Sequence, residues 1–434
     1  MGFDTKCSAH TKPSRKDFIR MIRQVLLGNV ILAVQYAAGG LIPIILIPHI
    51  VRSIGLSAYG DLAVALGWAS YGAVVVQYAF QFTGPKRLTQ LRPGETARGV
   101  FMDIASAKVL LLVPAIASMG IVASTVLAGP NARAQWILLL MLPIGAALHT
   151  GWHLQTSGKF LWVCIISIAG ACAALSIGFI FVHGSGASSV IGASMALGAG
   201  PLLAGAATLL VSLLILRDER AMPRNTSPLR ALHEGWPLFV SQFTSALYSA
   251  SGPLIIRYAS GAEAAGAYST VERIVNAVVG ACLLTHMAAY PRLAALYGSN
   301  RAGYRRLMRF VVVAYLVCAL LITVGAALAR HSLIRYLFGG VRPHEVDTLL
   351  GWALAWLMIG VFGPALTGYL TVSGQQSQVW PLTVKVLCTA MVIGLPGAFV
   401  FGAWAWMAAL VLSQIPVLVA IARAWRTVFL TERM

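Results

Sequence analysis

Six ionisable residues lie within the apolar stretches of this 434-residue chain. They are Asp61, Asp103, Lys108, Glu272, Arg273 and Lys385. Ionisable groups in an apolar environment are costly and usually face a cavity or a charged partner. A guanidinium offers paired donors to phosphate oxygens, and a carboxyl group in a low dielectric can exchange a proton near neutrality. These residue types therefore predict anion binding and ion exchange, and none of them is assigned a catalytic role.

Arg273 is the first choice for an anion-binding residue. It lies about eight residues from the outer end of its predicted helix, roughly 12 Å deep at 1.5 Å per residue. Glu272 points about 100° away on the helix, so it does not neutralise Arg273 on the same face. The alternative is a buried ion pair of Arg273 with Asp61 or Glu263. Asp61 and Glu272 are the carboxyl groups that we expect to carry a coupling ion.

Three further cations complete the predicted binding set. Lys108 and Lys385 lie within helices, where a lysine can instead snorkel back to the headgroups. Arg52 lies at the outer end of the first helix. Asp103 is only one turn into its helix, so we expect it at the membrane interface.

Two histidines, His149 and His153, lie four residues apart on one helix face, a spacing that could bind a metal. No carboxylate or cysteine joins them, so we interpret them as cavity-lining or interfacial residues. Five of the six cysteines lie in predicted helices and Cys7 lies in the tail, without metal spacing or a disulfide pattern. No metal or cofactor is predicted.

The elements that hold these side chains are twelve predicted transmembrane helices. A hydrocarbon core of about 30 Å needs about 20 apolar residues per helix. Charged residues make up 10% of the chain, below the roughly 25% of a soluble domain. We therefore expect an all-α polytopic membrane protein. Its spans are 25–50, 58–82, 100–127, 135–156, 160–182, 189–216, 236–256, 265–290, 310–329, 348–370, 379–401 and 403–421.

Basic residues set the predicted orientation. With both termini inside, the cytoplasmic segments hold 23 of the 32 Lys and Arg, and the outer loops hold six. Since the positive-inside bias sets orientation, the sequence predicts both termini in the cytoplasm. The first helix reads as a retained signal anchor rather than a cleaved signal peptide. The net charge of +19 then reflects topology and attraction to anionic lipid, and no nucleic-acid partner is expected.

The helices are predicted to form two six-helix lobes. Ala58-Tyr59 in helices 1–2 matches Ala267-Tyr268 in helices 7–8, which suggests a parallel repeat. Transporters built from such repeats place their substrate between the lobes. Segment 330–347 reads as an amphipathic outer segment and 372–378 as a tight cytoplasmic turn. The predicted units are a basic tail (1–24), an N-lobe (25–216), an inter-lobe loop (217–235), a C-lobe (236–421) and a C-terminal tail (422–434).

Several motifs carry a resemblance to a known family. IPHIVRSIGLSAYGDLAVA and the GPKRL motif that closes helix 2 resemble the start of Wzx-type oligosaccharide flippases. These are polysaccharide-biosynthesis members of the MOP (multidrug, oligosaccharidyl-lipid, polysaccharide) exporter superfamily. AGAYSTVERIVN and YPRLAALY resemble the corresponding elements of the second lobe.

The resemblance implies a MATE-like, V-shaped pair of lobes with helices 1, 2, 7 and 8 lining the cavity between them. It implies movement of an undecaprenyl-pyrophosphate-linked oligosaccharide across the bacterial inner membrane, with H⁺ or Na⁺ as coupling ion. The pathway would make O-antigen, capsule or exopolysaccharide. A polysaccharide polymerase and a chain-length regulator would be its partners.

The sequence lacks the motifs that are typical of several other classes of membrane protein. The sequence has no G-x-x-x-x-G-K-[ST] phosphate loop. The loop GPKRLTQLRPGE differs from the G-x-x-x-D-R-x-G-R-R loop of major-facilitator carriers. A membrane glycosyltransferase or polymerase would need a larger outer domain than 330–347, so no enzyme activity is expected. The closest alternative is a multidrug antiporter of the same superfamily, although the intrahelical cations favour an anionic cargo.

Overall fold

Every regular element in the described part of the computed structural model is a helix. The structure describes residues 40, 42–91, 95–125, 129–217, 227–343, 345–360, 362–373 and 375–429. The predicted tail 1–24 and the segment 25–39 of helix 1 lie outside them. The helices are α1 (Ile42–Ile54), α2 (Leu56–Gln77), α3 (Phe80–Thr89), α4 (Ala97–Thr125), α5 (Ala132–Leu148), α6 (Gly151–Thr156), α7 (Phe160–Phe181), α8 (Ala187–Leu216), α9 (Pro228–Ser299), α10 (Arg301–Leu328), α11 (Arg330–Phe338), α12 (Val346–Ile359), α13 (Phe362–Val372), α14 (Val379–Phe401), α15 (Ala403–Leu412) and α16 (Ile415–Phe429).

Part of this helical structure is long and apolar enough to cross a bilayer. Within the described residues, eight helical stretches meet that length and composition, and α1 and α12 are shorter apolar helices. Large hydrophobic side chains lie on the outer surface of these helices, for example Leu321 and Val392. Such exposure is expected when lipid rather than water surrounds a helix. The predicted all-α polytopic membrane fold is confirmed.

Helix α9 contains both predicted helices 7 and 8. Its helical geometry is interrupted at Gly261, with φ 91° and ψ 178°, a conformation that only glycine adopts readily. A Cβ atom at Gly252 would lie 2.5 Å from the Tyr268 hydroxyl oxygen. Along a straight helix these two residues would be about 24 Å apart. The chain therefore folds back at Gly261, and α9 forms an antiparallel pair, 228–260 and 262–299.

The two halves of the chain meet where α2 packs on α9. Helices α4 and α5 pack against α2 in the first half, whereas α10, α12 and α14 pack against α9 in the second. A Cβ atom at Gly60 would overlap the carbonyl oxygen of Ala262, and one at Gly266 would overlap that of Leu56. Small residues at such a crossing let the helix backbones approach closely.

Several predicted spans are shorter or more broken than expected. Predicted helix 2 breaks at Tyr78 and Ala79, with φ 45° and 60°. Predicted helix 4 breaks between α5 and α6, and predicted helix 10 between α12 and α13. Helix α9 begins at Pro228, before the predicted start at 236, so the inter-lobe loop is shorter than 217–235. Helix α11 is the amphipathic segment expected within 330–347, with Ile334, Leu337 and Phe338 buried.

Candidate functional site

A cavity of about 570 Å³ lies among α1, α2, α5, α7 and α8 and is reached by Arg273 from α9. Its walls are largely Ala, Gly, Leu and Ile side chains. The polar side chains that line it are Gln77, His149, Ser167 and Arg273. The arginine of the second half thus supplies the fixed positive charge on the wall of a cavity built by the first half.

Among the described residues, no carboxylate lies within ion-pair distance of the Arg273 guanidinium, although its charge acts on the neighbouring Glu272. Its Nε is buried without a hydrogen bond. Neither Asp61 nor Glu263 pairs with it, since Asp61 pairs with Arg257 and Glu263 lines a different pocket. Arg273 is half-buried, and leaving its buried Nε donor without an acceptor is costly. An anion entering the cavity would offset that cost through paired hydrogen bonds.

Lys108 lies directly behind the same cavity. Its Nζ donates to the carbonyl oxygens of His149 at 2.6 Å and Ala146 at 2.9 Å, and to Gln77 Oε1 at 3.4 Å. All three acceptors belong to residues that line the cavity. The side chain is 1% exposed, and its three donors are used. Lys108 therefore adds positive charge behind the wall without presenting a free ammonium.

These bonds also explain why the predicted fourth helix is broken. The carbonyl groups at the end of a helix lack partners within it, and Lys108 satisfies two of them at the end of α5. On the other side of the break, the Thr150 N–H donates to Thr208 Oγ1 at 3.1 Å. The break directs the His149 ring into the cavity. Lys108 and Thr208 thus satisfy backbone groups on both sides of the break beside His149.

The remaining two predicted cations lie elsewhere. Arg52 is exposed at the end of α1, donates from Nε to the Pro48 carbonyl at 3.0 Å and lies over the Tyr336 ring of α11. Lys385 lines a separate pocket with Arg423. The structure brings Arg273 and Lys108 together and leaves Arg52 and Lys385 outside their cavity.

Asp61 is held by three polar contacts. Its Oδ1 accepts from Arg257 Nε at 3.1 Å and its Oδ2 from Asn131 Nδ2 at 3.0 Å. Its backbone carbonyl accepts from Gln135 at 3.1 Å. Asp61 lies on α2 and Arg257 on α9, so this ion pair joins the two halves of the chain.

Glu272 has a different environment. Its Oε1 accepts a hydrogen bond from the Tyr268 hydroxyl at 3.1 Å, and Tyr268 is 0% exposed in the hydrophobic core. Among the described residues, no cation forms an ion pair with Glu272. An unpaired carboxyl group in such surroundings can bind a proton or a small cation.

A cluster around Arg87 was missed by the sequence reasoning. Arg87 Nη2 lies 3.4 Å from Asp103 Oδ2 and 3.6 Å from Glu95 Oε1, and its Nε lies 3.7 Å from Glu234 Oε2. Asp103, whose expected position at the membrane interface stays a prediction, is 0% exposed. Glu234 belongs to α9, so this cluster is a second ionic link between the halves. The arginine of GPKRL and the carboxyl group of Asp103 were its signals in the sequence.

The two histidines do not form a metal site in the described residues. His149 lines the cavity, whereas His153 is buried and packs edge-on against Phe101 and Trp152. No group of three His, Cys, Asp or Glu residues with metal-binding geometry occurs among the residues that the structure describes.

The sequence matches one protein family and is similar to two proteins with assigned names. The family model described as polysaccharide biosynthesis protein matches residues 26–297. A putative O-antigen transporter of Escherichia coli (strain K12) is 25% identical over 281 residues, which cover 63% of this chain and 66% of that protein. A putative O-antigen transporter of Shigella dysenteriae is 17% identical over 398 residues, which cover 91% of this chain and 98% of that protein. The chain thus aligns to just under two thirds of the first relative and to nearly all of the second.

Solved structures share the fold. An inward-facing multidrug resistance MATE family transporter of the MOP superfamily aligns with 95% of this chain and 96% of its own, at a TM-score of 0.62 and 14% identity. A MOP superfamily transporter from Pyrococcus furiosus covers 96% of both chains, at a TM-score of 0.55 and 17% identity. Since the relatives and these structures are transporters by name, the prediction that the chain is not an enzyme is confirmed. The family model covers more than half of the sequence, so this chain belongs to the polysaccharide biosynthesis protein family and has the fold of the MOP superfamily.

Proposed function

We propose that this protein is a flippase for an undecaprenyl-pyrophosphate-linked oligosaccharide. It would carry the repeat unit from the cytoplasmic to the periplasmic leaflet for the synthesis of a cell-surface polysaccharide. The observation that carries the proposal is Arg273 on the wall of a largely apolar cavity, with its Nε donor buried and without a hydrogen bond. A diphosphate brings negative charge into the membrane, and an arginine can meet that charge with two parallel hydrogen bonds.

Arg273 and Lys108 take different parts in this proposal. Arg273 contacts the diphosphate directly, because it lines the cavity and its Nε has no hydrogen-bond acceptor in the described residues. Lys108 raises the local positive potential and holds Gln77 and His149 at the cavity wall through its three hydrogen bonds. Arg52 and Lys385 lie outside the cavity, so we assign them no contact with the diphosphate there.

The names of the relatives support the choice of cargo. Both curated relatives are named putative O-antigen transporters, and the family is described by polysaccharide biosynthesis. We therefore favour the O-antigen pathway over capsule or exopolysaccharide. A polysaccharide polymerase and a chain-length regulator would act on the flipped product.

Alternating access would use the two ionic links between the halves. Asp61 lies near the start of α2 and Arg87 near the end of α3. About 26 helical residues separate them, a path of roughly 39 Å, which is comparable to the full thickness of a bilayer. The Asp61–Arg257 pair and the Arg87–Glu234 pair therefore act as gates at opposite ends. Each must separate in turn while the other keeps its end closed.

Glu272 is the better candidate for ion coupling. Asp61 is already engaged by Arg257 and Asn131, so binding an ion there would compete with the link between the halves. Glu272 has the Tyr268 hydroxyl as its hydrogen-bond partner and no cation within ion-pair distance in the described residues, although the charge of Arg273 acts on it. Its position next to Arg273 in the chain lets a change in its charge alter the field at the cavity. We propose H⁺ or Na⁺ exchange at Glu272.

A multidrug antiporter of the same superfamily is the second candidate. The walls of the cavity are largely apolar, and the MATE transporter shares the fold. A cationic drug would be repelled by Arg273 and by Lys108 behind the wall, whereas an anionic lipid would be attracted. Resistance to cationic dyes that depends on this protein and is retained by Arg273→Ala would favour the antiporter.

The proposed location is the inner membrane, with both termini in the cytoplasm. This orientation follows from the positive-inside bias of the sequence. Reporter fusions test it directly. Fusions after residues 90, 225 and 300 should read cytoplasmic, and fusions after 130, 186 and 340 should read periplasmic. A periplasmic result at 225 would contradict the division into six and six helices.

Complementation of a flippase-deficient strain tests the role of Arg273. A charge-assisted contact contributes about 1.5–3 kcal/mol, so Arg273→Ala should bind cargo roughly ten- to a hundredfold more weakly and fail to restore surface glycan. Arg273→Lys keeps the positive charge but lacks the paired donors of a guanidinium, so it should be partly active. Arg133→Ala, at an exposed position on α5 outside the cavity, is the matched control. Full complementation by Arg273→Ala at normal membrane abundance would refute the assignment.

A further inference from the structure

A second pocket, of about 690 Å³, lies among α13, α14 and α16 in the second half of the chain. The short 3-10 turn Gln376–Gln378 closes one end of it. Lys385 and Arg423 both line this pocket and are exposed. It shares no lining residue with the Arg273 cavity. The role proposed for Arg273 therefore leaves this pocket and its two cations unexplained.

The polar end of the pocket favours an anion. No acidic side chain lines it, and neither Lys385 nor Arg423 forms an ion pair in the described residues. Gln375, Ser377 and Gln378 supply further donors beside the two cations. The first turn of α14 also lines the pocket, and the N-terminal end of a helix carries partial positive charge.

The opposite wall is apolar. Leu366 and Leu370 of α13 face Ile415 and Val419 of α16 across the pocket. Free phosphate would gain nothing from that wall, whereas a phospholipid could place its headgroup on the cations and the start of an acyl chain on the leucines. The ligand chemistry that matches both parts is an amphipathic anion.

We infer that this pocket binds the headgroup of an anionic phospholipid. Basic pockets between transmembrane helices on the cytoplasmic side are known to hold such headgroups. In the orientation proposed above, the turn before α14 faces the cytoplasm, and anionic lipid is enriched in that leaflet. The bound lipid would tie α13, α14 and α16 together at this end of the second half.

Lipid binding to the purified full-length protein tests the inference. The protein in a neutral detergent is titrated with phosphatidylglycerol, phosphatidylcholine or inorganic phosphate, and bound lipid is counted by native mass spectrometry. Each basic residue near a lipid surface contributes about 1 kcal/mol, or about fivefold in affinity. Lys385→Gln with Arg423→Gln should therefore weaken phosphatidylglycerol binding about thirtyfold. Phosphatidylcholine and inorganic phosphate should bind weakly to every variant.

The control variants keep the test independent of folding and of transport. Lys159→Gln with Arg306→Gln removes the same charge from exposed positions and should bind phosphatidylglycerol like the wild type. Lys385→Arg with Arg423→Lys keeps both charges and should also bind it. Arg273→Ala should bind phosphatidylglycerol normally, so loss of transport in that variant does not bear on this pocket.

Two results would overturn the inference. Equal phosphatidylglycerol binding by the wild type and by Lys385→Gln with Arg423→Gln would show that the pocket holds no lipid. Inorganic phosphate that competes fully with phosphatidylglycerol at equal concentration would show a simple anion site without a lipid-binding wall.

Discussion

Replacing Arg257 with glutamine should open the outer side of the protein. Arg257 holds Asp61 at 3.1 Å across the two halves, and the two side chains are 42% and 19% exposed. Exposed pairs contribute about 0.2–1 kcal/mol, and the low exposure of Asp61 places this pair near the upper end. A loss of about 1 kcal/mol changes the ratio of open to closed molecules about fivefold.

A cysteine under the crossing of α2 and α9 reports this opening. Leu56 is 8% exposed, and its carbonyl lies against Gly266. In a background without the native cysteines, Leu56→Cys should react slowly with a membrane-impermeant maleimide added outside. Adding Arg257→Gln should raise that rate about fivefold, because the outer ends of α2 and α9 separate more often.

A matched ion pair within one half provides the control. Arg342 Nη2 lies 3.0 Å from Asp347 Oδ2, with side chains 55% and 38% exposed, and both residues belong to the second half. Arg342→Gln should leave the labelling rate unchanged. The exchange Asp61→Arg with Arg257→Asp should restore slow labelling. An unchanged rate in Arg257→Gln, or an equal rise in Arg342→Gln, would refute the gate.

Three further outcomes follow from the same contacts. Glu272→Gln should leave the protein in the membrane but make transport in vesicles insensitive to the H⁺ or Na⁺ gradient, and full gradient dependence would remove Glu272 as the coupling residue. Lys108→Gln leaves two backbone carbonyls without their donor, and each unsatisfied carbonyl costs about 1–3 kcal/mol of stability. The Lys108→Gln protein should therefore melt at a lower temperature than Lys159→Gln in a fluorescence size-exclusion assay. Gly60→Leu would overlap the Ala262 carbonyl, so it should abolish transport at normal abundance, whereas a leucine at Gly325, which has open space around it, should not.

Twelve spans were expected, and the described residues contain eight helical stretches of that length and composition. The helices themselves could be read from the sequence because apolar length alone specifies a membrane span. The breaks inside them could not. The break between α5 and α6 depends on Lys108 of α4 and Thr208 of α8, and neither is close to it in the chain. Periodicity reports the environment of a helix but not which distant donor satisfies its backbone.

The sequence predicted some residues of the candidate site and missed others. Arg273 stood out because a guanidinium in an apolar helix needs a cavity or a partner. The direction in which a side chain points decides the rest, so Arg52 and Lys385 could not be separated from the cavity by sequence. The Arg87 cluster was missed because its carboxylates lie at residues 95, 103 and 234 and meet only in the folded chain.

Lipid flipping can be measured with the purified protein alone. Proteoliposomes that contain the protein and a fluorescent prenyl-diphosphate-linked sugar are treated with an external quencher, and the rate at which inner-leaflet fluorophore becomes accessible is measured. The wild type should speed this exchange over empty liposomes, and Arg273→Ala should be about ten- to a hundredfold slower, in line with the loss of one charge-assisted contact. Wild-type rates equal to those of empty liposomes, or equal rates for wild type and Arg273→Ala, would contradict a flippase whose cargo diphosphate is bound by Arg273.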